Sequence, residues 1–217
     1  MERSQRSCSA HGGPGGAAAD AAVLREWVRT KGQVVSPDFL RVDGFLNHRI
    51  EPAFIAEAGR LLADAFAPAR ATCVLTAEAA GNVIAYEVAR RLNVAALYAK
   101  KGRAATMVQA LTRRVPSPTK GGEVELSLSR EYVGPRERVL IVDDFLYRGT
   151  TSAALADMVR EAGAEVVGFG FVIEKCFAGG RELLAPYGVP IVTLVPVLRM
   201  DMNEIVFAPP RGLTGSA

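Results

Sequence analysis

The chain has 217 residues, 49% of them apolar and 23% charged, with a formal net charge of +3. That length suffices for one well-buried domain with residues to spare, and the composition is ordinary for a soluble globular protein. The mild, dispersed charge fits a small anionic substrate and does not argue for nucleic acid. Cys8, Cys73 and Cys176 form no Cys-x-x-Cys pair and only His11 and His48 are present, which leaves no basis for a disulfide framework, a zinc site or a histidine metal centre. No run approaches the roughly 18–20 apolar residues of a membrane span. The arginine-containing N-terminus lacks the apolar segment of a secretory signal, so the cytoplasm is the expected location.

Residues 1–16 are polar and rich in Ser and Gly and read as a disordered tail, leaving 17–217 as a single domain. Ala19 to Lys31 carries Val23, Leu24 and Trp27 at helical spacing and stops at Gly32, a C-cap. Val34 to His48 has short apolar runs broken by Ser-Pro and Asp-Gly turns, the pattern of a small irregular lobe outside the main sheet. Glu51 to Phe66 returns to helical periodicity. From there strands and helices alternate: a strand to Ala77, a turn at Glu78 to Gly81, a helix over Asn82–Leu92, and a second strand ending in Lys100 and Lys101. Ala104 to Glu131, with Pro116, Pro118, Gly121 and Gly122 before an alternating Val-Glu-Leu-Ser-Leu-Ser, reads as an inserted β-ribbon or loop. After the strand Val139–Val142 and a helix through Ala153–Val159 come a strand Val166–Ile173, a short helix Gly180–Tyr187 and a last strand Ile191–Val197. The apolar segment Ile205–Pro210 packs either internally or on a second subunit. Such alternation predicts an α/β fold with a mainly parallel sheet flanked by helices.

The chemistry concentrates in Val139 to Ser152. A buried apolar strand meets two adjacent carboxylates, Asp143 and Asp144, where the strand is expected to end. A turn through Tyr147, Arg148 and Gly149 then leads into Thr150, Thr151 and Ser152 at a helix start. The unpaired N–H groups of a helix N-terminus suit a phosphate, and glycine lets the backbone approach it. Carboxylates repel that anion but bind ribose hydroxyls or hydrated Mg²⁺. The combination describes a site for a ribose 5-phosphate. No Gly-Lys-Ser/Thr of a P-loop occurs, and the turn has one glycine where the dinucleotide fingerprint needs three. Charged or small residues stand at four strand exits: Glu78 to Gly81, Lys100-Lys101, Asp143-Asp144 and Glu174-Lys175. In a parallel sheet these exits share one crevice.

At these residues the chain resembles the type I phosphoribosyltransferases. The resemblance implies that Asp143 and Asp144 hold the ribose hydroxyls and Tyr147, Arg148, Gly149, Thr150 and Thr151 cradle the 5-phosphate of phosphoribosyl pyrophosphate. It makes Glu78, Ala79, Ala80 and Gly81 the pyrophosphate loop, with Lys100 and Lys101 supplying positive charge to the leaving group and Lys101 counted with the catalytic residues. The insertion becomes a flexible hood over about residues 101–132, carrying Arg113, Arg114 and Lys120 as candidate pyrophosphate contacts. Where many members have Ala-Thr-Gly or Asp-Thr-Gly, this chain has Tyr147-Arg148-Gly149, so no aspartate base is assigned at that turn.

Leu40 to Pro52, with Phe-Leu-Tyr-Arg-Gly-Thr-Thr-Ser and Val-Ile-Glu-Lys (Val172 to Lys175), looks like the bacterial xanthine phosphoribosyltransferases. That likeness implies a small N-terminal base-binding lobe, base contacts from Leu40 and Asn47, and donation from Lys175 to a 6-oxo group. Lysine only donates, so it favours an oxopurine over adenine, whose amino group it would oppose. The expected reaction joins N9 of xanthine to the phosphoribosyl group, with Mg²⁺ carried mainly by phosphoribosyl pyrophosphate, no protein-held metal, and a homodimeric assembly. Hypoxanthine or guanine is the alternative base, and a non-catalytic regulator that senses phosphoribosyl pyrophosphate is the alternative class.

Overall fold

The computed structural model describes residues 14–102, 107–116 and 121–209, with the side chains of 14–20 left aside. The first helix, α1 (Pro14–Lys31), starts before Ala19, so three residues read as tail are helical, and the rest of that stretch lies outside the described residues. The expected irregular lobe is more ordered than its sequence shows. It forms an antiparallel hairpin of β1 (Gln33–Ser36) and β2 (Phe39–Arg41), followed by a π-helical turn over Asp43–Asn47. This hairpin forms a sheet of its own.

Helix α2 (Pro52–Phe66) opens on a proline at a position where the missing N–H is not needed. Then follow β3 (Cys73–Ala77), α3 (Gly81–Leu92) and β4 (Ala95–Lys101), and the insertion, which is a ribbon of β5 (Ala110–Pro116) and β6 (Glu123–Ser129). The chain returns through β7 (Arg138–Leu146), α4 (Thr150–Glu161), β8 (Glu165–Lys175), α5 (Gly180–Leu184) and β9 (Ile191–Met200). A short antiparallel strand, β10 (Ile205–Phe207), closes that edge, with Ile205 and Phe207 packed against the core, and Pro210 lies outside the described residues.

Among the described residues the main sheet runs β10-β9-β8-β7-β3-β4-β6-β5, parallel from β9 to β4. Its central strands are apolar on both faces because both are covered. Along β7, Leu140 and Val142 join the core under α1, α2 and α3, while Val139 and Ile141 join the core under α4 and α5. Two contacts fix the first layer. Trp27, Phe45 and Phe54 pack ring against ring at 5.0–6.1 Å, uniting α1, the π-helical turn and α2. At the far end of α2, the Phe66 ring lies on β8 where Gly168 and Gly170 leave room; a Cβ at Gly168 would stand 2.2 Å from a ring carbon.

Candidate active site

The carboxylate pair does not end its strand. β7 continues four residues past Val142, paired with β8 as far as Leu146 opposite Glu174, whereas its pairing with β3 stops at Ile141. Asp143 and Asp144 thus stand where one neighbour has left and the other persists. That is a notch in the sheet edge, and a hydrophobic run does not reveal it.

Around the notch the elements approach closely. A Cβ at Gly81 would sit 2.6 Å from Asp143 Oδ1 and 2.0 Å from Thr76 Oγ1, so only glycine lets the start of α3 abut the carboxylate. The Asp144 N–H donates to Asp143 Oδ1 at 2.9 Å, and the Phe145 N–H to Asp144 Oδ1 at 3.0 Å. From the N-terminal lobe, Asn47 Nδ2 donates to Asp144 Oδ2 at 3.3 Å. Burial, reinforced by the charge of Asp144, pushes the Asp143 carboxyl well above the usual carboxylate range, and the Lys101 ammonium only partly opposes this. Burial likewise raises Asp144, against the donation from Asn47. The pair is therefore short of cations and donors.

The turn after β3 is stapled to β4. Glu78 Oε1 accepts the Lys101 backbone N–H at 2.6 Å, and the Glu78 N–H donates to the Ala99 carbonyl at 3.1 Å. Ala79 is exposed and Ala80 half-buried, so the loop presents small side chains and backbone at the crevice. The two lysines part company. Lys101 acts on Asp143, while Lys100 lines a cavity of about 310 Å³ with Tyr98, Met107 and Tyr132, away from the other candidate residues. On the ribbon, Arg113 is held by Glu161 of α4 at 2.6 Å, Arg114 is exposed, and Lys120 lies outside the described residues.

Past β7, Gly149 adopts φ +75° and caps α4. A left-handed residue there turns the chain so that the first N–H groups of α4, at Thr150, Thr151 and Ser152, lack intrahelical acceptors and face outward along the helix axis. Thr150 and Thr151 are half-buried and Arg148 is exposed. Tyr147, in the turn before α4, sets its ring centroid 4.9 Å from Lys175 Nζ.

The last two residues of β8 diverge. Glu174, 2% exposed, is gripped by Arg181 through two hydrogen bonds of 2.9 Å and accepts from Thr193 Oγ1 at 2.7 Å, on the α5 side. It is a structural buried ion pair and leaves the set of crevice charges. Lys175 lies on the lobe side, where Nζ donates to the Asp38 carbonyl at 2.6 Å. Burial lowers its pKa, partly offset by the charge of Asp38. Leu40, expected at the base, is 4% exposed and packs into the core beneath the hairpin. Sequence reasoning missed Asp38, Phe39 and Phe145, which gather at Lys175; the Ser-Pro-Asp-Phe turn and the aromatic after the acid pair were the available signals.

Residues 48–208 match the family model described as a phosphoribosyl transferase domain. The xanthine phosphoribosyltransferase of Heliobacterium modesticaldum is 43% identical over 185 residues, covering 85% of this chain and 98% of the relative. That of Deinococcus deserti is 43% identical over 179 residues, covering 82% and 93%. Among solved structures, the adenine phosphoribosyltransferase of Rhodothermus marinus superposes with a TM-score of 0.67 at 27% identity, covering 81% of this chain and 99% of that one.

Proposed function

The chain belongs to the phosphoribosyl transferase family, among its xanthine phosphoribosyltransferases, and we propose on that premise that it transfers the 5-phosphoribosyl group of phosphoribosyl pyrophosphate to N9 of xanthine. The products are xanthosine monophosphate and pyrophosphate. The observation that supports this most is the gathering at one sheet edge of a carboxylate pair, a glycine-capped helix start and a buried lysine.

Asp143 and Asp144 accept from the ribose hydroxyls, and Tyr147 to Thr151 with the N-terminus of α4 take the 5-phosphate. The Glu78–Gly81 loop and Lys101 meet the pyrophosphate. As the C1–oxygen bond breaks, positive charge develops on the sugar and negative charge on the leaving group. Preformed groups stabilise both without reorganising. N9 then bonds to C1 and its proton passes to solvent, with no side chain assigned as base. Closure of the hood, about residues 101–132, excludes water from the activated sugar.

No group of three or more His, Cys, Asp or Glu side chains fit to hold a metal ion occurs among the described residues. Two aspartates provide hard oxygen donors but not a complete coordination sphere. They fit Mg²⁺ that arrives on phosphoribosyl pyrophosphate, and the bound ion would neutralise pyrophosphate charge. Leu40, Asn47 and Lys175 contact the base, Leu40 from its place beneath the hairpin.

We place 17–217 in a single domain and the active form in a cytoplasmic homodimer. No described helix is long and apolar enough to cross a membrane, and Tyr98, Val108 and Tyr132 leave an exposed apolar surface near the ribbon. The test is pyrophosphate release with Mg²⁺ and phosphoribosyl pyrophosphate, offering xanthine, hypoxanthine, guanine and adenine separately. Preference for xanthine is expected. Turnover of another base alone would remove the base assignment, and sugar binding without turnover would remove the enzyme.

A further inference from the structure

Lys175 ends β8 at 8% exposure, an unusual place for an ammonium. Tyr147, Phe145 and Phe39 set their ring centroids 4.9, 5.4 and 5.9 Å from its nitrogen. Two of these rings follow the acid pair, and the third opens β2 on the N-terminal hairpin. Rings attract a cation through their faces but do not take up its N–H donors as a carbonyl does. The ammonium has three N–H donors. One is engaged at 2.6 Å by the carbonyl of Asp38, in the tight turn joining β1 to β2.

We propose that Asp38 is the positioning residue for base recognition: its backbone carbonyl aims the Lys175 ammonium inside the aromatic wall. This rests on the reading of Lys175 as the donor to a 6-oxo group. A lysine held at one N–H by a backbone carbonyl presents its remaining donors in a restricted arc, which a base acceptor completes. Without the hairpin the same side chain, with four rotatable bonds, would present them over a wide range. The charged and titratable groups around it are few. The hairpin supplies Asp38, and the loop after β7 supplies the Tyr147 phenol with Arg148 stacked 5.4 Å above its ring. Glu174, next along β8, is turned away and bound to Arg181. Burial draws the lysine toward its neutral form, and the Asp38 charge opposes this.

Four variants test the assignment, scored by kcat/KM for xanthine against pH and by separate KM values for the base and for phosphoribosyl pyrophosphate. Asp38→Asn keeps the carbonyl and removes the charge. Its alkaline limb is expected to move down by about half a pH unit at low salt and to rejoin the wild-type limb near 1 M salt. Asp38→Glu restores the limb. Because each profile uses the same substrate, ionisation of the base is common to all. Pro37→Gly loosens the turn that aims the carbonyl. It is expected to raise KM for the base about tenfold, leaving KM for phosphoribosyl pyrophosphate unchanged. Pro37 and Asp38 are both exposed, so neither change opens the core. If the base KM stays put in Pro37→Gly while Lys175→Met abolishes base use, Asp38 loses its positioning role and the base reading stands. Undiminished base use by Lys175→Met would overturn the base reading itself.

Discussion

Glu174 and the Asp143–Asp144 pair lie on neighbouring strands, and their surroundings are opposite. Glu174 faces a guanidinium and a hydroxyl that together satisfy both of its oxygens. The aspartates face each other, two backbone N–H groups, one side-chain amide from Asn47, and the partial influence of Lys101. A buried carboxylate that is paired belongs to the architecture. One left short of partners is held in that state by the rest of the fold and waits for a ligand to complete it. Position at a strand exit does not separate the two cases, whereas the partner does.

The sharpest way to break this contrast is to neutralise the pair. Asp143→Asn or Asp144→Asn should lower kcat/KM by about 10²–10³, measured as pyrophosphate release. The same variants should melt higher at neutral pH. A carboxyl whose pKa is raised by folding contributes stability below its unfolded pKa and loses it as pH rises through the folded value. The amide imitates the protonated form throughout. Its advantage should therefore appear above that range and vanish as the solution is acidified.

Glu174→Gln should do the reverse. Leaving Arg181 without its carboxylate should reduce unfolding free energy by about 2–3 kcal/mol, read from denaturant titration, with kcat per folded molecule nearly unchanged. Gly149→Ala comes next. Its φ of +75° and a Cβ 2.8 Å from the Gly180 carbonyl oxygen predict strain of about 1–2 kcal/mol and a raised KM for phosphoribosyl pyrophosphate. The smallest change sharpens the contrast instead. Asn47→Ala removes a donor that holds Asp144 down, so the acid limb of kcat/KM for phosphoribosyl pyrophosphate should shift to higher pH.

Much of this was legible in the residues. The apolar runs marked the strands, Gly149 marked the turn into α4, and the break in pattern after Lys101 marked the ribbon. What escaped depends on pairing, which hydrophobic periodicity does not encode. β7 outlives its expected end because β8 stays beside it after β3 turns away. Glu174 and Lys175 look alike as strand-end charges, yet alternation along a strand sends adjacent side chains to opposite faces. The lobe read as irregular because four- and three-residue strands are too short for periodicity to register.

The slot on β8 that receives Phe66 has a reach beyond its own packing. α2 is a rod about 22 Å long, pinned at one end by that ring between Gly168 and Gly170 and carrying at its other end the turn that bears Asn47. A methyl group added at Gly168 would push on the short arm of a lever. The displacement would surface at the opposite end, where the lobe reaches Asp144. Alignment of Asn47 with Asp144 is thus a matter of leverage, set by two missing side chains at the far end of α2.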